Sequence, residues 1–107
     1  MGKNIENKQA VLKAVRKNGE ALKNFPEFQN DRDIVLEAVR ENAWALEFAS
    51  YELRNDPKIV LEAVRRDGLA LKYASKELRN DPEIVLAAVK KHGWALEYAS
   101  DQCRSNK

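Results

Sequence analysis

The chain has 107 residues, 44% of them hydrophobic and 34% charged, with nineteen Lys and Arg against seventeen Asp and Glu and a formal net charge of +2. This is the length of one folded domain, and it lacks the one-signed excess of a nucleic-acid-binding arm or an acidic tail. No apolar run approaches the roughly 20 residues of a membrane span, no secretory leader is visible, and the single cysteine, Cys103, excludes an internal disulfide framework, so a cytoplasmic protein with no membrane partner is expected.

One segment recurs. Asn55-Asp56-Pro57-Lys58-Ile59-Val60-Leu61-Glu62-Ala63-Val64 returns as Asn80-Asp81-Pro82-Glu83-Ile84-Val85-Leu86-Ala87-Ala88-Val89, with fainter copies before both. Aligned on Leu12, Leu36, Leu61 and Leu86, the copies are spaced by 24, 25 and 25 residues. A fixed period in this range signals units that stack on their neighbours. The expected fold is therefore all-α, a solenoid-like array of four helix-pair repeats at about 7–30, 31–55, 56–80 and 81–105, within a single domain 1–107. A lone unit buries too few aliphatic side chains to offset the ordering of its backbone, so about three neighbours are needed.

The first copy places Asn7 at the helix cap. Ala10 stands where the third copy has Ile59, Asn24 replaces Tyr73, and Pro26 follows Phe25. These changes fit a terminal unit with one wetter side. The second copy opens on Asp31 and carries Ala43 where the others carry glycine, followed by Trp44 and, later, Tyr51.

The third copy has the clearest punctuation. Asp56 is a good N-cap, and Pro57 at the first helical position loses no hydrogen bond. A helix is predicted from there to a stop near Gly68. At 100° per residue Ile59, Val60, Leu61, Ala63 and Val64 cover an arc of about 200°, so this helix is expected to be covered on two sides. Gly19, Gly68 and Gly93 then fall where a left-handed residue closes a helix, a geometry that would cost Ala43 about 1–2 kcal/mol. A shorter helix follows over Leu69-Ala70-Leu71-Lys72-Tyr73-Ala74, and Ser75 caps one more turn toward Asp81.

The fourth copy repeats the cap as Asp81-Pro82 and retains Ile84, Val85, Leu86, Val89 and Leu96. Only residues 100–107 follow its short helix. Its apolar side is either open, for self-association or partner docking, or closed by the C-terminal turn through Cys103.

No catalytic constellation emerges, and neither a metal nor a cofactor is expected. His92 shares its slot with Asn18, Asn42 and Asp67, so it reads as a residue at a helix C-terminus. Cys103 shares its slot with Phe28, Leu53 and Leu78 and reads as a small core hydrophobe. Ser50, Ser75 and Ser100 recur as caps. There is no glycine-rich phosphate loop and no metal-ligand spacing.

Two columns are candidate surfaces. Arg16, Lys17, Arg40, Arg65, Arg66, Lys90 and Lys91 follow the aligned leucines and, stacked, make a basic ridge; the competing reading is helix-dipole stabilisation, about 0.3–1 kcal/mol for each cation. Arg54, Arg79 and Arg104 form a second basic column that Gln29 breaks. Trp44 and Trp94 share a slot with Glu20 and Leu69, and Tyr51 shares one with Lys76 and Asp101, so all three are candidate partner-binding anchors. Packing between repeats is the alternative for the two tryptophans, while Phe48, Tyr73 and Tyr98 form a uniform column that reads as internal packing.

The pattern Ile-Val-Leu-x-Ala-Val-x-x-x-Gly-x-Ala-Leu-x-Tyr-Ala-Ser-x-x-Leu-Arg-Asn-Asp runs from Ile59 to Asp81 and again from Ile84, with Cys103 in place of leucine. It resembles the DUF4116 tandem helical repeat family over about four-fifths of the chain, the first copy departing at Asn24, Pro26 and Gln29. The resemblance implies helical repeats found in bacterial, viral and protist proteins, with no established activity and no catalytic residues to carry over. The functional expectation is a non-enzymatic protein–protein interaction module, a small adaptor or inhibitor of the kind a phage or mobile element directs at a host machine. The alternative is binding of a nucleic-acid phosphate backbone along the basic ridge.

Overall fold

The structure, a computed structural model, describes residues 5–99, and all their regular elements are helical. The α-helices are α1 (Ile5–Lys17), α2 (Arg32–Glu41), α3 (Tyr51–Arg54), α4 (Pro57–Arg66) and α5 (Pro82–Lys91). Each of the four long ones is followed by a six-residue 3-10 helix, at Gly19–Asn24, Ala43–Phe48, Gly68–Tyr73 and Gly93–Tyr98. Long helices pack in chain order, α1 on α2, α2 on α4 and α4 on α5, and the 3-10 segments pack on one another in the same order. The molecule measures 50 × 22 × 17 Å. Ser100, Cys103 and Arg104, with the readings attached to them, lie outside the described residues.

Helix starts follow from the caps. Asp31 accepts the amides of Asp33 and Ile34, Asp56 those of Lys58 and Ile59, and Asp81 that of Glu83, each from extended backbone just before its helix. Pro57 and Pro82 occupy first-turn positions that need no donor. Asn7 is not a cap, because α1 already runs at Ile5 and takes Asn7 into its interior.

Asp56 also accepts from Arg32 Nε at 2.9 Å, and this charge-assisted bond, with the Lys58 and Ile59 amides adding to it, holds its carboxyl below the ordinary carboxylate range. A pKa lower in the folded state than the unfolded value near 4 contributes stability that is present at neutral pH and lost as pH falls through the folded value. Asp56→Asn keeps a capping oxygen but loses the charge pair with Arg32. The expected result is a lower melting temperature at pH 7 and a shallower loss of stability below about pH 4, measured by thermal melts across pH 2–7.

The glycines do not close helices. Among the described residues no residue, glycine included, has a positive φ. The turn is made instead by Asn18, Asn42, Asp67 and His92, whose φ values of −153°, −150°, −151° and −142° end the α-helix in extended backbone. Side chains of Asn18, Asn42 and Asp67 then accept the amide two residues on and start the 3-10 helix. Ala43 therefore bears no left-handed strain. What glycine supplies is closeness: a Cβ on Gly19 would run into the Ala38 carbonyl oxygen, and one on Gly68 into that of Ala88, whereas Gly93 faces open space.

In the second and third copies the second half is a 3-10 helix in which one set of buried residues recurs every third position, with Ala45 and Ala70 buried beside it. Gly68, Leu71 and Ala74 are buried in one copy as Ala43, Leu46 and Ala49 are in another, and a 3-10 helix eclipses i with i+3. The long helices bury a narrower arc than their sequence suggests. Ile34, Val35, Ala38 and Val39 of α2 and Ile59, Val60, Ala63 and Val64 of α4 are fully buried, but Leu36 and Leu61 are only partly covered and Leu86 is 57% exposed. Of the leucines that define the period, Leu36, Leu61 and Leu86 thus sit at the rim of the core, while Leu12 is buried in it.

Serine ties adjacent copies together. Ser50 and Ser75 donate their amides to the carbonyls of Gln29 and Arg54 in the preceding copy. Their hydroxyls donate to Asn30 and Asn55 and accept from Leu53 and Leu78.

Candidate interaction surfaces

Trp44 and Trp94 open equivalent 3-10 helices and meet different surroundings. Trp44 is half-buried at the junction between the second and third copies. Its indole N–H donates to Asp67 Oδ2 at 2.6 Å, and its ring meets Tyr73 edge-on at 5.6 Å and 71°. Lys72 Nζ lies 5.7 Å from the Trp44 ring, 5.2 Å from Tyr73 and 5.8 Å from Tyr98, so one cation spans aromatic faces from three copies. Trp94 is 80% exposed, with no hydrogen-bond partner among the described residues.

Tyr51 is 51% exposed and lies on α3. Its hydroxyl donates to Glu77 at 2.6 Å, and the Arg54 guanidinium sits 5.6 Å from its ring. That carboxylate pushes the phenol pKa up, and the phenol in turn holds Glu77 down. The structure thus separates the three aromatic candidates: Trp44 joins copies, Tyr51 bridges them with one face open, and Trp94 stands clear.

The cation column is brought onto one side of the long helices but is only partly available. Arg16 meets Glu37 at 3.4 Å, Arg40 meets Glu62 at 3.8 Å, and Arg66 meets Glu62 at 3.5 Å. Lys17, Arg65, Lys90 and Lys91 are exposed and form no ion pair among the described residues. Arg65, Lys90 and Lys91 rim a groove between α4 and α5 whose floor is Leu61, Leu86 and Ala87. The second basic column serves the fold, since Arg54 donates to the carbonyls of Ala49 and Tyr73 and Arg79 to that of Tyr98.

His92 is the C-cap of α5, and its Nδ1 accepts the Gly68 amide at 3.1 Å. Among the described residues no group of three His, Cys, Asp or Glu side chains is placed to hold a metal ion. No helix there is long and apolar enough to cross a membrane. The groove-floor leucines were missed as surface residues because a wide apolar arc is indistinguishable, in sequence, from a doubly covered one.

Helices that follow a 25-residue sequence period, three of them starting on an aspartate cap, define an all-helical protein. The chain belongs to the family described as Domain of unknown function (DUF4116), which matches residues 7–54 and 56–104, each segment spanning two of the 25-residue copies. No curated protein and no solved structure matches it significantly.

Proposed function

We propose that the chain is a solenoid-like array of four helix-pair repeats that acts as a non-enzymatic protein-interaction module, an adaptor or inhibitor working by surface contact. The observation that carries this reading is the exposed pair Trp94 and Leu86 on the fourth copy. A large aromatic and a leucine left 80% and 57% exposed on an otherwise well-buried fold are the residue types that anchor protein interfaces. Carboxylates speak against the phosphate-binding alternative, because Arg16, Arg40 and Arg66 are already paired with Glu37 and Glu62, which offset two of their three charges. Three of the four cations left over, Arg65, Lys90 and Lys91, rim an apolar groove, which suits a peptide chain better than a phosphate backbone.

The test is affinity capture from the native host with the wild-type chain and with Trp94→Ala, read by mass spectrometry. A partner retained by wild type and lost from the variant, at unchanged melting temperature, is the expected result. In parallel, fluorescence-polarisation titrations with RNA and DNA at 50 and 200 mM salt should show no tight, steeply salt-dependent binding. Tight binding abolished by Arg65→Glu and Lys90→Glu would replace the protein reading with the nucleic-acid one.

A further inference from the structure

The junctions between copies have a polarity, and it describes the kind of neighbour that the trailing side of the fourth copy would accept. At the first junction the earlier copy supplies donors and the later one carboxylates: Lys8 meets Asp31 and Asp33, Arg16 meets Glu37, and the Gly19 amide donates to Glu41. The second junction repeats the rule, with Arg32 on Asp56, Arg40 on Glu62 and the Trp44 indole on Asp67. The third junction keeps only part of the rule: the Gly68 amide donates forward to the His92 imidazole, but Ala87 and Lys91 stand at the Glu37 and Glu41 positions and the carboxylate beside His92, Asp67 at 3.4 Å, belongs to the earlier copy.

The trailing side of the fourth copy presents part of this donor set once more, with Pro82 in the place of Lys8 and Arg32. Lys90 stands in the Arg16 and Arg40 position, Gly93 in that of Gly19 and Gly68, and Trp94 in that of Trp44. Val89 and Leu96 are only half-covered, where Val39, Val64, Leu46 and Leu71 are fully buried by a following copy. Among the described residues nothing occupies that place.

A second copy of this chain is a poor fit. Its leading side, on α1, carries Lys13 where α2 has Glu37, Lys17 where α2 has Glu41, and an exposed Ala10 where α2 has the buried Ile34. Head-to-tail stacking would bring Lys13 toward Lys90. Such a contact is heterologous and does not close, so it propagates into filaments, and the two lysines oppose it.

Building on the interaction-module reading above, we infer that the trailing side of the fourth copy docks a helix-pair repeat of another chain with an acidic leading side. That side carries an Asp-capped helix with glutamates at the Glu37 and Glu41 positions. The indole of Trp94 donates to a carboxylate of that partner, as Trp44 does to Asp67, and Lys90 pairs with its first glutamate.

The full-length chain supplies the probe. Lys13→Glu with Lys17→Glu converts the leading side of the first copy to the pattern of the second, Glu37 and Glu41, and the same chain retains the trailing side intact. In sedimentation-velocity series from 1 to 500 µM the wild type is expected to stay monomeric, while this double variant associates end to end at least tenfold more tightly, more weakly as salt rises. Adding Trp94→Ala or Lys90→Glu to the double variant should return it to monomer with unchanged circular dichroism. If the double variant disturbs α1, Lys13→Glu alone carries the same charge test.

A folded but monomeric charge variant overturns the acidic-partner assignment, and so does a wild-type chain that assembles through Trp94 as tightly as the variant. If the charge variant is monomeric yet the host capture still yields a Trp94-dependent protein, the interaction reading stands and only the partner's chemistry is wrong. Failure of both removes both.

Discussion

Replacing Gly68 by alanine is expected to cost about 2–3 kcal/mol of stability, seen as a melting-temperature drop of roughly 10–20 °C for a domain of this size, while Gly93→Ala leaves the midpoint unchanged or slightly higher. The new methyl group on Gly68 would run into the carbonyl oxygen of Ala88 and approach His92 N at 3.1 Å. Backbone atoms cannot rotate away as a side-chain tip can, so α5 must shift as a body. That shift also stretches the bond from the Gly68 amide to His92 Nδ1.

Gly93 meets nothing within 4 Å and has no positive φ. Its replacement acts mainly through the unfolded chain, where losing a glycine contributes about 0.4–1 kcal/mol in favour of folding. Gly19→Ala should resemble Gly68→Ala, because Ala38 O takes the part of Ala88 O. Denaturant melts of the three variants decide the matter. Equal losses at Gly68 and Gly93 would assign the glycines to their own copies and not to the junctions.

Trp44→Ala should cost about 2–3 kcal/mol, and Trp94→Ala less than about 0.5 kcal/mol. Truncating Trp44 removes a half-buried ring from between two copies, its edge contact with Tyr73 and one acceptor bond of Asp67. Trp44→Phe separates these effects, since it keeps most of the ring and loses only the indole donor, at an expected cost of about 1 kcal/mol. Trp94 has no such contacts among the described residues. Urea unfolding with an unchanged m-value is the measurement, and a large loss at Trp94 would place it in the core and remove it from the interface.

The helix starts were legible in the sequence because capping is local. Asp31, Asp56 and Asp81 need only the amides two and three residues ahead, and Pro57 and Pro82 need only the absence of a donor, so a stretch of four residues carries the whole argument. The glycine column was legible as a column but not in its purpose. A residue at a helix end that is repeatedly glycine suggests a left-handed turn, yet the cause is a carbonyl on a helix some 20 residues further on. Ala43 was the clue, since alanine at one junction fits a spacing requirement better than a dihedral one. The basic ridge was similarly half-readable: its cations were visible as a column, but Glu37 and Glu62, which pair with three of them, come from other turns and other copies.

By itself the sequence determined the period, the four helix starts to within a few residues, the all-helical class and the family, because each rests on interactions within one copy or on the repetition itself. The fates of Trp44 and Trp94 were left to the tertiary structure. The segments Trp44-Ala45-Leu46-Glu47 and Trp94-Ala95-Leu96-Glu97 are identical, and both begin equivalent 3-10 helices. One tryptophan is packed and hydrogen-bonded because a copy follows it, and the other is exposed because none of the described residues does. A repeat specifies its own shape locally, but burial of its faces depends on which neighbour is present, and only stacking supplies that.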